Sequence, residues 1–376
     1  MFRLRAHVVA VVVFFCGLIT APDASAWWND DWQFRKELTL DLSAAGANIP
    51  ANATDVPVLV RLSIANFPYF NDARPDGADL RFISADDKTP LKFHVEKWDA
   101  QAQIALLWVR LPLVTGGMNA DKVFLYYGSP EGVSAGDVAG TWDTNQALAY
   151  HFGAAPPATQ DATGYKNEPQ NFTAEINPGS LIGSGLRFDG TKSFMVPAAP
   201  SLAVNPAQGY TISAWVKAEG AQQQTVLVSM QDQARELTLG IESERAFARW
   251  RDTGAEVLVS QQAGTLVGEW HHVALRVGGG NLALLVDGAL VGQSQAVVPA
   301  MNVALAVGGA SAGSNYFRGE MDELLVANIA RSDAWLRAAA TSQGMVAPLV
   351  VYGGDTQKES GGHDSYFAST LRNVTV

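Results

Sequence analysis

Short runs in which apolar and polar residues alternate, each fenced by turn-forming clusters, recur along the chain from Phe34 to Val326. In Phe34-Arg-Lys-Glu-Leu-Thr-Leu-Asp41, Val56–Leu62, Leu80–Ile83, Phe93–Trp98, Ile104–Arg110 and Val123–Tyr127 the side chains divide between two faces with a period of two. That is the signature of half-buried strands and not of helices. Asn71–Gly77 and Ala85–Pro90 supply turns between them. The pattern resumes in Gly185–Gly190, Tyr210–Lys217, Thr225–Ser229, Leu237–Ile241, Trp270–Val277, Leu282–Gly288, Val303–Val307 and Phe317–Val326. Thirty-five Gly and seventeen Pro without a collagen period fit many short strands joined by turns, so the expected fold class is all-β. Pro57 confines its run to an edge strand or a strand start, because it cannot donate to a ladder. One short helix is expected over Arg331–Ala340, with Ser332 capping it and Trp335, Leu336 and Ala339 on one face.

A chain of 376 residues exceeds one ordinary domain of roughly 100–200 residues, so two units are expected. Residues 27–128 read as a β-sandwich and 129–147, rich in Gly, Ser, Ala and Asp, as a linker. Residues 148–350 read as a second β unit and 351–376 as a polar, loosely ordered tail. Residues 1–26 read as a secretory signal peptide: Arg3 and Arg5, an apolar run from Val8 to Ile19, then Ala24-Ser25-Ala26 before a cleavage point at Trp27. The expected location is therefore periplasmic or secreted. Cys16, the only cysteine, lies in the removed segment, so no disulfide is expected in the mature chain. The net charge of −11 and the absence of any long Lys/Arg run argue against a nucleic-acid partner.

Six motifs in order carry a resemblance over about residues 148–350. They are Asp161-Ala-Thr-Gly-Tyr-Lys-Asn167, Leu186-Arg-Phe-Asp-Gly190, Tyr210–Val216, Trp270-His-His-Val-Ala274, Leu284-Leu-Val-Asp-Gly288 and Phe317-Arg-Gly-Glu-Met-Asp-Glu323, followed by Ala330-Arg-Ser332. The segment resembles the laminin-G-like, concanavalin-A-like jelly roll, which implies two curved antiparallel sheets and binding of a glycan or protein. The first unit, opening Trp27-Trp-Asn-Asp-Asp-Trp-Gln-Phe-Arg-Lys36 and closing Tyr126-Tyr-Gly128, resembles an uncharacterised bacterial domain that often precedes such a jelly roll. The pair is similar to the periplasmic part of MotA/TolQ/ExbB-type proton channels, whose membrane helices follow a segment like Ser365–Thr375. The resemblance thus implies two β-sandwich domains in series and an envelope protein or channel as partner.

The same superfold hosts glucanases, so the spacing of carboxylates bears on catalysis. Glu320-Met-Asp322 begins a spaced acid series, but Leu324 stands where the next acid is needed. Simple alternation sends Glu323 to the opposite face. The expectation is a non-catalytic recognition protein, with a secreted glycoside hydrolase as the alternative. For sugar stacking the candidates are Trp27, Trp28, Trp32 and Trp215, each also explicable by packing, while Trp98, Trp108 and Trp270 read as core. His271 and His272 leave opposite faces of a strand and cannot grip one metal together. Family topology brings the strands of Asp189 and Asp322 near each other, making these the calcium candidates; turn hydrogen bonds are the competing explanation.

Overall fold

A computed structural model describes residues 27–153, 160–346, 348–358 and 364–365. The signal segment 1–26 with Cys16, and the channel-like stretch beyond residue 365, lie outside the described residues. The alternation translates into four antiparallel sheets and, among the described residues, one α-helix. The chain is all-β, with a concanavalin-A-like jelly roll as its second part.

In the N-terminal sandwich a five-stranded sheet runs in the order 364–365, Val350–Lys358, Phe34–Leu40, Asp121–Tyr127, Arg81–Ser84. It packs on a three-stranded sheet ordered Ala53–Ser63, Ile104–Val114, Phe93–Asp99, with Leu38 and Leu125 meeting Val58, Val60 and Leu107 in one core. Pro57 sits on the outer strand of that sheet, where its missing N–H breaks no ladder. The jelly roll has a six-stranded sheet, in the order Phe194–Val196, Leu305–Val307, Gln224–Gln231, Glu236–Glu242, Arg245–Asp252, Ala255–Ser260. Its partner sheet is eight-stranded: Ala289–Gln295, Asn281–Val286, His271–Gly278, Tyr210–Ala218, Arg318–Ala327, Gly185–Asp189 and Glu175–Asn177, with Gln146–Tyr150 also pairing to Arg318–Ala327. Ile212, Val216, Leu239, Leu275 and Met321 belong to the core between these two sheets.

Two expectations about connecting segments need correction. Residues 351–358, read as the start of a loose tail, belong to the strand Val350–Lys358, which pairs antiparallel with Phe34–Leu40 in a register from Leu40↔Val350 to Phe34↔Gln357. Its polar residues are met by partners in the first domain. The Lys36 ammonium donates to the Gly353 carbonyl at 2.8 Å and to Asp355 at 2.9 Å, and the Tyr127 hydroxyl donates to Asp355 at 2.9 Å. The linker 129–147 ends inside the fold, since Trp142 and Asp143 are buried and Gln146 already opens a strand.

The helix spans Asp333–Gln343, and the Ser332 hydroxyl accepts the Trp335 N–H at 3.1 Å, a cap worth about 1 kcal/mol. It is wedged between the domains. The Trp335 indole N–H donates to the Asp55 carbonyl at 3.2 Å and Arg337 Nε to the Ala47 carbonyl at 3.0 Å. Leu336, Ala339 and Ala340 share a core with Leu106 of the three-stranded sheet and with Trp215, Ala274, Leu285 and Leu325 of the eight-stranded sheet. The outer face of the jelly-roll sheet is thereby covered.

Candidate functional site

Where that cover ends, a cleft of about 300 Å³ opens between the eight-stranded sheet and the last turn of the helix. Trp215, Glu269, Trp270, His271, Asp287 and Thr341 are among the residues that line it. Glu269 and Trp270 immediately precede the strand His271–Gly278, which leaves Glu269 exposed and Trp270 half-buried. Asp287 and Gly288 form the hairpin turn after Asn281–Val286, both at positive φ (51° and 71°), as a tight two-residue hairpin requires. Gly288 is needed for a second reason: a Cβ there would stand 2.6 Å from Arg337 Cα, so the turn could not abut the helix.

Asp287 binds its neighbourhood with both oxygens. One accepts the His272 backbone N–H at 2.9 Å and the other faces His271 Nδ1 at 2.8 Å. The Asp287 hydrogen bond raises His271 above the ordinary histidine value, against a smaller opposing effect of burial. A histidine raised in this way contributes stability that is fully present below about pH 6.5 and is lost as pH rises through its elevated value. An NMR titration should therefore place the His271 midpoint above 6.5, and Asp287→Asn should bring it back towards that value.

Trp215 forms part of the floor. Its indole N–H donates to Gln343 Oε1 at 2.8 Å, and it is only 5% exposed because the helix lies over it. The lip, Gly344 to Val346, is anchored from the other domain. Arg61 donates to the carbonyls of Gln343 at 2.7 Å and Gly344 at 3.0 Å, placing a cation on a helix C-terminus whose last carbonyls otherwise lack partners. Met345 and Val346 beyond it are 80% and 83% exposed, an apolar rim beside the acidic and aromatic lining. Thr341, the hydroxyl in the lining, donates to the Arg337 carbonyl at 2.7 Å and so is committed to the helix backbone.

The other stacking candidates lie elsewhere. Trp27, Trp28 and Trp32 pack with Ile83, Phe124 and Tyr126 in a small separate core. Trp32 donates to the Asp79 carbonyl at 2.6 Å, Trp27 donates to the Trp32 carbonyl at 2.8 Å, and the Arg35 and Arg81 guanidiniums cover the rings of Trp27 and Trp32. Trp270, read from sequence as core, packs half-buried against the shared core and also lines the cleft. Its place just before the strand, beside Glu269, was the available signal.

The calcium candidates do not converge. Asp189 is exposed and accepts from the Thr191 N–H and hydroxyl in a turn. Asp322 is buried, accepting the backbone N–H groups of Ile182 at 2.9 Å and Glu323 at 3.0 Å.

The expectation that Glu323 faces away from Asp322 is overturned by a β-bulge. Glu323 has φ of 50°, and the pairing with Tyr210–Ala218 slips between Ser213 and Trp215. Met321 and Leu324 therefore both enter the jelly-roll core, while Asp322 and Glu323 both leave on the side of the first domain. There Glu323 meets His151 at 2.9 Å, with Glu96 3.8 Å from the same nitrogen. Burial pushes Glu96 up to about 8 and raises Glu323 and Asp322, and it lowers His151 and His94.

Comparisons with known proteins give two family matches. Residues 188–337 match the concanavalin A-like lectin/glucanases superfamily, and residues 76–167 match a domain of unknown function, DUF2341. No curated protein matches the chain. Similar solved structures include the binding domain of Paraclostridial Mosquitocidal Protein 1 (14% identity, 53% of this chain and 52% of that one, TM-score 0.46). They also include the botulinum neurotoxin serotype G binding domain (9% identity, 52% and 50%, TM-score 0.44). A third is domain 4 of AbnA, a GH43 extracellular arabinanase from Geobacillus stearothermophilus in complex with arabinotriose (18% identity, 51% and 97%, TM-score 0.43). The chain spans about half the length of the toxin binding domains.

Proposed function

We propose that this chain is a non-catalytic recognition protein, periplasmic or secreted, that holds a glycan in the cleft around Trp270. The observation that carries the reading is the lining itself: a half-buried indole beside an exposed carboxylate and an imidazole, on a rigid hairpin and helix end. Indole faces cover the C–H surface of a sugar ring, while carboxylate and imidazole hydrogen-bond its hydroxyls. The match to the lectin/glucanase superfamily over 188–337 supports the same reading.

The glycoside hydrolase alternative would use the acids on the Arg318–Ala327 strand, but the Glu323 side chain is 0% exposed and no sugar ring can reach it. A glycan array followed by calorimetry should show saccharide binding, and Trp270→Ala should weaken it tenfold or more, about 1.4 kcal/mol. Flat titrations against every saccharide would sink the glycan reading. Release of reducing ends by pure protein would sink the non-catalytic one.

A further inference from the structure

We propose that Glu96, His151 and Glu323 form a site for one divalent transition-metal ion, zinc fitting best, in the seam between the two domains. The three side chains come from distant places: the strand Phe93–Asp99 of the first domain, the end of Gln146–Tyr150, and the bulge in Arg318–Ala327. Their ligand atoms nevertheless lie within 4.8 Å of one another. His151 Nδ1 stands 2.9 Å from both oxygens of Glu323 and 3.8 Å from Oε2 of Glu96. Zinc bonded at about 2.0–2.2 Å to such atoms in a tetrahedral site would separate them by roughly 3.3 Å, so the two His151 distances need to change by about 0.5 Å or less and the widest separation in the group by at most about 1.5 Å.

The charge balance points the same way. Two carboxylates share one imidazole nitrogen, and among the described residues neither forms an ion pair with Lys or Arg. The charge of Arg61 acts on Glu96 and Glu323, but its guanidinium gives its hydrogen bonds to the carbonyls of Leu181, Gln343 and Gly344 and forms no direct ion pair with either. Enclosed negative charges of this kind require a compensating cation or a proton.

The ligand set selects the metal. Calcium needs six to eight oxygens, and magnesium keeps most of its waters, whereas one imidazole with two carboxylates suits zinc. Outer partners also fit. The Trp108 indole N–H donates to Glu96 Oε2 at 2.7 Å, orienting that carboxylate. His94 Nε2 lies 3.2 Å from His151 Nε2. If His151 donates in that contact, its Nδ1 lone pair faces the carboxylates. That arrangement makes His94 Nε2 the acceptor and places the His94 proton on Nδ1, a buried atom without a partner. The His151 and Glu96 side chains keep 12% and 10% exposure, leaving an edge open to an ion.

The test is a titration of the chelator-stripped full chain with zinc chloride alone. It should take up one equivalent with a rise in melting temperature, because binding to the folded state alone stabilises it. Calcium and magnesium chloride should give no such rise. His151→Ala and Glu323→Gln should each weaken uptake by 100-fold or more, and Trp108→Phe by about 10–100-fold as an outer-partner loss. Glu323→Gln also alters a buried side chain, so its folding is checked by circular dichroism. In the unsubstituted chain, bound cobalt(II) should give the visible absorption of a four-coordinate nitrogen- and oxygen-ligated site. No stoichiometric uptake, or uptake unchanged in folded Glu323→Gln, or a six-coordinate cobalt spectrum would overturn the assignment.

Discussion

Arg331→Met should lower the stability of the protein by about 3–5 kcal/mol, seen as a fall in the urea midpoint with little change in slope. Arg331 is 5% exposed and grips Asp143 with two parallel bonds of 2.6 and 2.8 Å, with a third to Gln146 at 3.1 Å. Its guanidinium also stacks 4.5 Å from the centre of the Trp335 ring. The methionine would keep much of the volume but leave the Asp143 carboxylate buried without its counter-charge, holding only the Asn145 and Gln146 backbone N–H groups, which is the costly half of breaking such a pair. Burial acts to raise Asp143, yet Arg331 outweighs it and holds the carboxyl below its ordinary range. A depressed carboxylate contributes stability that is present above about pH 4 and is lost as pH falls through its folded-state value. The difference between the two proteins should therefore shrink in acid. Adding Asp143→Asn to Arg331→Met should recover a large part of the loss, since it removes the stranded charge. Additive losses in the double variant would show that the pair is not coupled.

Local chemistry made most of the strands legible. Period-two patterning and the Ser332 cap each act within a few residues, so each can be read without knowing what packs against it. The misreadings share a cause, which is dependence on a distant partner. Residues 351–358 look like a tail until Phe34–Leu40 supplies their ladder and Lys36 their counter-charge. For Trp27, Trp28 and Trp32 the sequence allows both stacking and packing, and it is the distant residues Arg35, Arg81 and Tyr126 that place them in a small core. Glu323 shows the limit most sharply. One extra residue in a strand inverts every face count after it, and nothing in Met321-Asp-Glu-Leu324 announces the bulge. The meeting of Glu96, His151 and Glu323 depends on domain docking and on that bulge together, so no spacing in the sequence could report it.

Trp335→Ala should have a comparable effect, about 3–5 kcal/mol, and should also change the form of the unfolding curve. The jelly-roll core between its two sheets is built from residues 147 to 326 and uses nothing from the N-terminal sandwich. The other large core is shared: it holds the interior of the N-terminal sandwich, the helix, and the outer face of the jelly roll. Trp335 is 3% exposed at the centre of that shared core, packing under Arg331 and bonding the Asp55 carbonyl. Emptying its site removes contacts from the side that joins the domains while leaving the jelly-roll interior intact. The unsubstituted chain should unfold in urea as one transition, because the two parts share buried surface. In Trp335→Ala the N-terminal sandwich should melt first and the jelly roll at a higher urea concentration, giving two transitions by tryptophan fluorescence and far-UV circular dichroism. A single transition shifted as a whole would mean that the remaining seam contacts, Arg61 on the helix end and the Leu106–Leu325 packing among them, suffice to keep the domains cooperative. That outcome would move the coupling from the helix to the sheet-on-sheet contact, and Arg61→Met would then become the variant expected to separate the transitions.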